Sequence, residues 1–192
     1  MELFIQQVVA GLATGSIYAC MALALVMIYQ AIEHLNFAQG EMAMFSTFIA
    51  WQLMQWGVPY WGAFVLTIGI AFAAGVFIER VVLAPLHNAP ILSHVVTFIA
   101  LYVIINSFAG FIWDFTVKPF PTPFGTSPLL GSNLIGAHQA GTIAVTLAML
   151  LFLFVFFRYT RIGLAMRAAA ANPTSAKLVG IRVGWMTALG WG

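Results

Sequence analysis

The sequence has 192 residues, of which 62% are hydrophobic and only 6% are charged. Soluble domains carry about a quarter of their residues as Asp, Glu, Lys and Arg, so this composition excludes an ordinary water-soluble protein. The net charge of +2 is too small to indicate nucleic-acid binding, and one cysteine, Cys20, excludes a disulfide framework within the chain. We therefore predict an all-α, polytopic membrane protein with a single transmembrane domain over residues 1–192.

The first apolar run, 5–29, has about 25 residues and is long enough to cross a hydrocarbon core of ~30 Å. A secretory signal peptide would carry Lys or Arg before its apolar run, and this sequence has neither there. We therefore predict a retained span. Gly11 and Gly15 stand four residues apart and are followed by Ala19. This spacing places small residues on one helical face, which predicts a helix-packing role for Gly11 and Gly15.

A densely polar segment, 30–42, precedes a second apolar run, 42–56, of only about 15 residues. This run is short for a full span unless it begins near Asn36. Polar side chains at that depth are costly unless they face protein or water. Two interpretations of Asn36, Gln39 and Glu41 stay open: an interfacial cluster that caps a helix, or a polar element of a transport path.

Three more apolar runs predict spans at 63–78, 95–112 and 140–157, which gives five spans in all. Glu79 and Arg80 are predicted to end the third span. Asn106 and Ser107 interrupt the fourth, where hydrogen bonding between helices is the commoner use of such residues. The chain stops about ten residues into a sixth apolar run, so we expect further C-terminal spans in the complete protein.

The stretch 158–182 holds five of the seven basic residues and no acidic residue. Within it, Asn172 is a favoured N-cap, and Pro173 suits the first helical position. Gly180 follows where a helix stop is expected. The pattern predicts a short, rigid helix over about 173–179, which is held between two spans and presented to a partner.

The basic residues also predict an orientation. With five spans, Arg80 and the basic residues of 158–182 fall on one side of the membrane, and Lys118 alone falls on the other. Basic residues concentrate on the cytoplasmic side. The N-terminus and the long connector 113–139 are therefore predicted to lie outside.

No catalytic constellation is apparent in the sequence. Glu33-His34 lacks the spacing of a zinc-protease motif, and His138 is predicted to lie on the opposite membrane side from His87 and His94. A Gly-rich phosphate loop is absent, so the chain is not expected to bind ATP itself. We predict no catalytic residue, no metal site and no cofactor.

Two segments, GSIYA at 15–19 and NFAQGE at 36–41, resemble the N-terminal signature of branched-chain amino acid ABC transporter permeases. The run 160–168, which leads to LVGI at 178–181, is similar to the same family. The resemblance covers essentially the whole chain. Family members are longer, in agreement with the expectation of further C-terminal spans.

The resemblance implies a subunit of a high-affinity leucine, isoleucine and valine importer in the bacterial inner membrane. Its partners would be ATPase subunits, a second permease subunit and a periplasmic substrate-binding protein, which would meet the connector 113–139. It also implies a cytoplasmic helix that docks into the ATPase, although Thr174 and Ser175 depart from the family's loose Glu-Ala-Ala-xxx-Gly pattern. The residues thereby assigned to ATPase coupling are Asn172, Pro173, Thr174, Ser175, Ala176, Lys177 and Gly180.

The substrate stays open, because within this family urea, a short amide or another amino acid would also be compatible with the sequence. A secondary transporter is the rival outside the family. That class would place ionisable side chains deep within spans. The predicted spans hold Asn106 and Ser107 at depth and no carboxylate, which favours the ABC permease.

Overall fold

The computed structural model describes residues 2–32, 36–86, 89–125 and 136–191. These residues form helices joined by irregular connections, and this confirms the predicted all-α class. A five-residue π-helical turn, Glu79–Leu83, and a short 3-10 turn, Ala84–Leu86, follow the third helix. The α-helices are α1 (Glu2–Ile32), α2 (Gln39–Gln55), α3 (Tyr60–Ile78), α4 (Ile91–Trp113), α5 (Ala137–Tyr159), α6 (Arg161–Ala171), α7 (Pro173–Leu178) and α8 (Val183–Trp191).

Four helical segments among the described residues are long and apolar enough to cross a membrane: Leu3–Tyr29, Tyr60–Leu86, Ile91–Trp113 and Ala137–Tyr159. They correspond to four of the five predicted spans. The second predicted span differs, because α2 has only 17 residues. At 1.5 Å per residue, α2 is about 25 Å long, less than a bilayer core of ~30 Å.

The third span does not end at Glu79 and Arg80 as predicted. Its helical path continues through the π-helical turn and ends at Leu86. Glu79 is only 1% exposed, so its carboxylate lies inside the protein rather than at a membrane surface. A buried carboxylate does not mark where a helix leaves the bilayer, which is why the sequence placed this end too early.

The chain divides into two compact units. The first comprises Met1–Val26 and Phe120–Leu164. In it, the Thr146 hydroxyl on α5 donates to the Ser16 hydroxyl on α1 at 3.4 Å, and Ser16 donates to the Ala13 carbonyl at 2.7 Å. This polar contact joins two membrane-length helices.

The second unit comprises Met27–Pro119 and Ala165–Gly192. In it, α2 packs against α3 and α4, and α8 packs against α3. The Phe98 ring is fully buried and stacks on Trp191 with a centroid distance of 6.0 Å. The core residues that surround this pair are Ile28, Ala38, Leu83 and Leu101.

Aromatic packing fixes the far ends of α2 and α4 together. The Phe45 and Phe48 rings of α2 both lie 5.3 Å from the Trp113 ring of α4. The Trp113 indole N–H also donates to the Gln52 side chain at 2.9 Å. Because Trp113 ends α4 and Gln52 is near the end of α2, the two helices run in the same direction to this end of the unit.

Candidate functional site

The predicted helix start at Asn172 is confirmed. The Asn172 backbone is extended (φ −155°, ψ 95°), and its side-chain oxygen accepts a hydrogen bond from the Ser175 backbone N–H at 2.9 Å. Pro173 occupies the first turn of α7, where its missing N–H has no intrahelical role. These two residues set the start of α7 from local sequence alone.

Gly180 ends α7 in the manner the sequence predicts. Its φ of +86° lies in the left-handed region, which favours glycine. The Gly180 N–H donates to the Lys177 carbonyl at 3.1 Å, and the Ile181 N–H donates to the Ala176 carbonyl at 3.0 Å. This pair of bonds is a Schellman motif. The helix itself ends at Leu178, one residue earlier than predicted.

The side chains of α7 divide into an inner and an outer set. Ala176 is only 3% exposed and packs into its own unit, whereas Leu178 is 84% and Val179 is 76% exposed. Thr174, Ser175 and Lys177 are exposed as well. Sequence reasoning missed the exposed apolar pair. The sequence does contain a signal for this exposure, because Leu178 and Val179 follow a lysine at the end of a helix that both caps predict. The assignment of α7 to ATPase coupling stays a prediction.

A tight turn between α5 and α6 is fixed by Thr160. Its hydroxyl donates to the Phe156 carbonyl at 2.6 Å and accepts from the Gly163 N–H at 3.0 Å. A side chain at position 163 would collide with the Phe156 carbonyl oxygen. Glycine is therefore required by this close approach of α6 to the end of α5.

Three basic residues from two distant parts of the sequence meet at one end of the second unit. Arg80, Lys177 and Arg182 line the same open cavity of about 840 Å³. His94, near the start of α4, lines it too. Because these residues line one cavity, the structure supports the prediction that Arg80 and the 158–182 stretch lie on the same side of the membrane. The orientation of the N-terminus stays a prediction.

Of the polar cluster predicted around Asn36, Asn36 itself is buried, and Gln39 and Glu41 are half-buried. Asn36 is 2% exposed, and its side-chain oxygen accepts from the Ala38 N–H at 3.0 Å. Its amide nitrogen donates to the Gln39 side chain at 3.2 Å and approaches the Met42 sulfur at 3.7 Å. The side chain thereby stabilises the bend from which α2 begins.

Glu41 makes its contact with α4 rather than with Asn36 or Gln39. Its Oε2 accepts a hydrogen bond from the Asn106 side-chain amide at 3.0 Å. Asn106 lies 15 residues after the start of α4, or about 22 Å along the helix axis. A carboxylate that lies outside the membrane-length helices therefore contacts the interior of one of them, a contact that the sequence did not predict. The reason is that α2 begins beside the interior of α4, which places its first turn at that depth.

Gly11 and Gly15 are exposed on α1, and a Cβ at either position would meet nothing within 4 Å. The α1 residues that contact the rest of the first unit lie on another side of the helix and include Ala13 and Ser16. Within the described part of the chain, the two glycines thus bring no helix close. Their packing role stays a prediction for a partner helix.

Glu33, His34 and His87 lie outside the described residues. His138 is described, and its Nδ1 lies 2.9 Å from the Thr122 hydroxyl. Over the described ranges, no three His, Cys, Asp or Glu side chains are grouped so that they could hold a metal ion.

Comparison with known proteins identifies the family. A family model described as "Branched-chain amino acid transport system / permease component" matches residues 7–192. The chain is 31% identical to the high-affinity branched-chain amino acid transport system permease protein LivH of Salmonella typhimurium, over 97% of this chain and 65% of the relative. LivH of Escherichia coli K12 is 32% identical over the same shares. BraD of Pseudomonas aeruginosa is 32% identical over 93% of this chain and 62% of its own length.

The chain spans about 65% of the length of the first two of these curated relatives. No solved structure matches it significantly. The family match extends from within α1 to the end of α8 and includes both the Asn36 cluster and α7. The chain therefore belongs to the family of permease components of branched-chain amino acid transport systems.

Proposed function

We propose that this chain is the membrane-spanning permease subunit of an ATP-driven importer for branched-chain amino acids. Membership of the permease family over residues 7–192 supports this function, as do the transport systems named for its relatives. The subunit is not an enzyme in this proposal. Separate ATPase subunits hydrolyse ATP, a periplasmic protein delivers the substrate, and a second permease subunit completes the path through the bacterial inner membrane.

The helix α7 is the proposed contact with the ATPase. One observation carries this assignment: α7 satisfies its own ends through Asn172 and Gly180 while its outward side chains remain exposed. A helix with both ends capped keeps its shape without a partner. Lys177 and Leu178 then offer one charge and one apolar side chain to a cleft of complementary chemistry.

Rigidity at α7 suits the transmission of movement. ATP binding would close the ATPase pair and displace α7 as a body, as in other ligand-driven rigid-body transitions. Ala176 is buried on the inner side of α7, and Ile181 donates to its carbonyl. A displacement of α7 would therefore also move the core residues of the second unit that pack against Ala176.

Asn36, Gln39 and Glu41 are proposed as a polar element near the transport path, together with Asn106. They support this role because they bring carboxylate and amide groups to a level inside a membrane-length helix. Such groups are rare in apolar spans and commonly accompany substrate pathways. The N-terminus is proposed to lie outside, so that α7 and Arg80 face the cytoplasm.

Reconstitution tests the proposed function. The complete gene product would be placed in proteoliposomes with its candidate ATPase and binding protein, and uptake of labelled leucine and of urea would be followed with and without ATP. We expect ATP-dependent uptake of leucine, with isoleucine and valine as competitors. Uptake driven by a proton or sodium gradient without ATP would contradict the proposal. Uptake of urea instead of leucine would contradict the proposed substrate class, branched-chain amino acids.

A further inference from the structure

The basic cavity of the second unit has features of a binding site that α7 coupling does not explain. It lies between the π-helical end of the third span, the start of α4 and the segment from α6 to α8, and has a volume of about 840 Å³. Ligand pockets commonly have volumes of about 300–1,000 Å³. It is open on one side, so a molecule could enter from the surface.

Among the described residues, the lining of the cavity carries an excess of positive charge. Arg80, Lys177 and Arg182 contribute three cations, and the carboxylate of Glu79 offsets one of them. Lys177 and Arg182 are exposed, and neither forms an ion pair with a described residue. The three cations come from segments about 100 residues apart in the sequence, so their convergence is a property of the fold.

Arg80 is held in a geometry that suits anion binding. Its guanidinium carbon lies 3.9 Å from the centroid of the Trp185 ring, and its Nε lies 3.8 Å from the Glu79 carboxylate. Stacking uses the flat face of a guanidinium and leaves the N–H groups of its edge for hydrogen bonding. Those groups can bind a phosphate group through two parallel bonds.

The walls of the cavity are apolar and continue into apolar surface. Phe98, Ile91 and Trp191 line it. Ile91 is 69% exposed and the neighbouring Leu92 is 73% exposed, at the start of a helix long enough to span a membrane. Trp191 is 4% exposed, and its indole N–H has no acceptor among the described residues. The cavity thus places its cations and the Trp191 indole N–H beside an apolar surface that hydrocarbon chains could cover.

We infer that this cavity binds the phosphate headgroup of an anionic phospholipid, with the acyl chains lying along the exposed start of α4. Basic pockets between membrane helices recognise such headgroups through the combination of charge and apolar wall. A purely electrostatic protein contact would not require the apolar floor. This inference rests on membrane insertion alone and does not depend on the transported substrate or on the ATPase.

Lipid binding to the purified complete permease, without ATPase, tests the inference. Native mass spectrometry would measure the affinity for phosphatidylglycerol and for phosphatidylcholine. We expect phosphatidylglycerol to bind more tightly. Arg80→Gln and Arg182→Gln should each weaken its binding about fivefold, because each basic residue near an anionic lipid contributes about that factor. Lys177 is left unchanged, since it also belongs to the proposed ATPase contact.

Matched variants separate charge from folding. Arg167 is an exposed basic residue of α6 that does not line the cavity, so Arg167→Gln should leave the affinity within about twofold of the parent. Arg80→Lys and Arg182→Lys keep the charge and should retain most of the binding. Equal affinity for the two lipids would overturn the inference. So would an equal loss in Arg167→Gln, or complete displacement of the lipid by inorganic phosphate.

Discussion

Asn36 and Asn172 each accept a hydrogen bond from a backbone N–H a few residues further along the chain, yet their surroundings differ. Asn36 is 2% exposed and bonds Ala38, and its amide nitrogen is used by Gln39. Asn172 is exposed, and among the described residues its side chain bonds only the Ser175 N–H. Asn172 caps the start of α7 on the protein surface, whereas Asn36 stabilises the bend that precedes α2 inside the protein.

The difference separates two uses of polar residues in an apolar chain. Around Asn36, polar groups satisfy one another, as buried polar groups must to avoid a large desolvation cost. Around Asn172, the side-chain oxygen satisfies a backbone N–H, and most side chains of α7 remain exposed. The same residue type therefore supports internal structure before α2 and caps an exposed helix at α7.

Asn36→Ala should break this comparison with the largest effect on stability. The variant loses the bond to the Ala38 N–H, which is fully buried, and the bond to Gln39. An unsatisfied buried group costs about 1–3 kcal/mol, so we expect a loss near the upper end, about 3 kcal/mol. Unfolding of the purified protein in mixed detergent micelles would measure it. A loss no larger than that of Asn172→Ala would contradict the different roles of the two asparagines.

Gly180→Val should have the next largest effect. A Cβ at position 180 would meet no atom within 4 Å, so the cost comes from the left-handed backbone and not from crowding. That cost is about 1–2 kcal/mol for an ordinary L-residue. Asparagine tolerates this conformation, so Gly180→Asn should lose less than half as much. If the two variants lost equal stability, the Schellman end of α7 would not be the controlling feature.

Asn172→Ala should destabilise α7 by about 1 kcal/mol, the usual value of an N-cap. Because α7 is short, this loss should appear as faster amide exchange across 174–178 with little change in global unfolding. Asn172→Asp keeps a side-chain acceptor for the Ser175 N–H and serves as the control. Slow exchange in Asn172→Ala would show that packing, and not the cap, holds α7.

The Glu41–Asn106 contact should have the smallest energy of the four. Hydrogen bonds between membrane helices average about 0.6 kcal/mol and reach about 1.7 kcal/mol in double-mutant cycles. We expect a coupling in this range between Glu41→Ala and Asn106→Ala. Glu41→Gln retains an acceptor for the Asn106 amide and should keep ATP-driven uptake within about twofold. Abolished uptake in Glu41→Gln would instead indicate a proton-coupling role for the carboxylate.

Local features of the fold could be predicted from the sequence, and distant contacts could not. Asn172, Pro173 and Gly180 fixed the bounds of α7 to within one residue, because caps act over a few residues of backbone. The Glu41–Asn106 bond joins residues 65 positions apart, and no local pattern marks such a pair. The end of the third span was predicted wrongly at Glu79 for a related reason. The burial of Glu79 depends on how α8 and the π-helical turn pack together.

The exposure of α7 shows the same limit. The resemblance assigns Ala176 to ATPase coupling together with the rest of α7, whereas the fold buries Ala176 and leaves Leu178 exposed. Which side of a six-residue helix faces its own protein depends on contacts with distant elements. The sequence therefore predicts that a helix is presented here, and the structure is needed to say which side chains it presents.

Cross-linking of α7 to the ATPase tests the central claim most directly. In a Cys20→Ser background, Leu178→Cys and Val117→Cys each place one exposed thiol in the second unit, at 84% and 98% exposure in the parent residues. Leu178 is adjacent to Lys177, and Lys177 lines the cavity at the start of α4. Val117, by contrast, follows the other end of α4. We predict that only Leu178→Cys forms a thiol cross-link to the co-expressed ATPase. A cross-link from Val117→Cys, with none from Leu178→Cys, would contradict the assignment of α7 as the coupling helix.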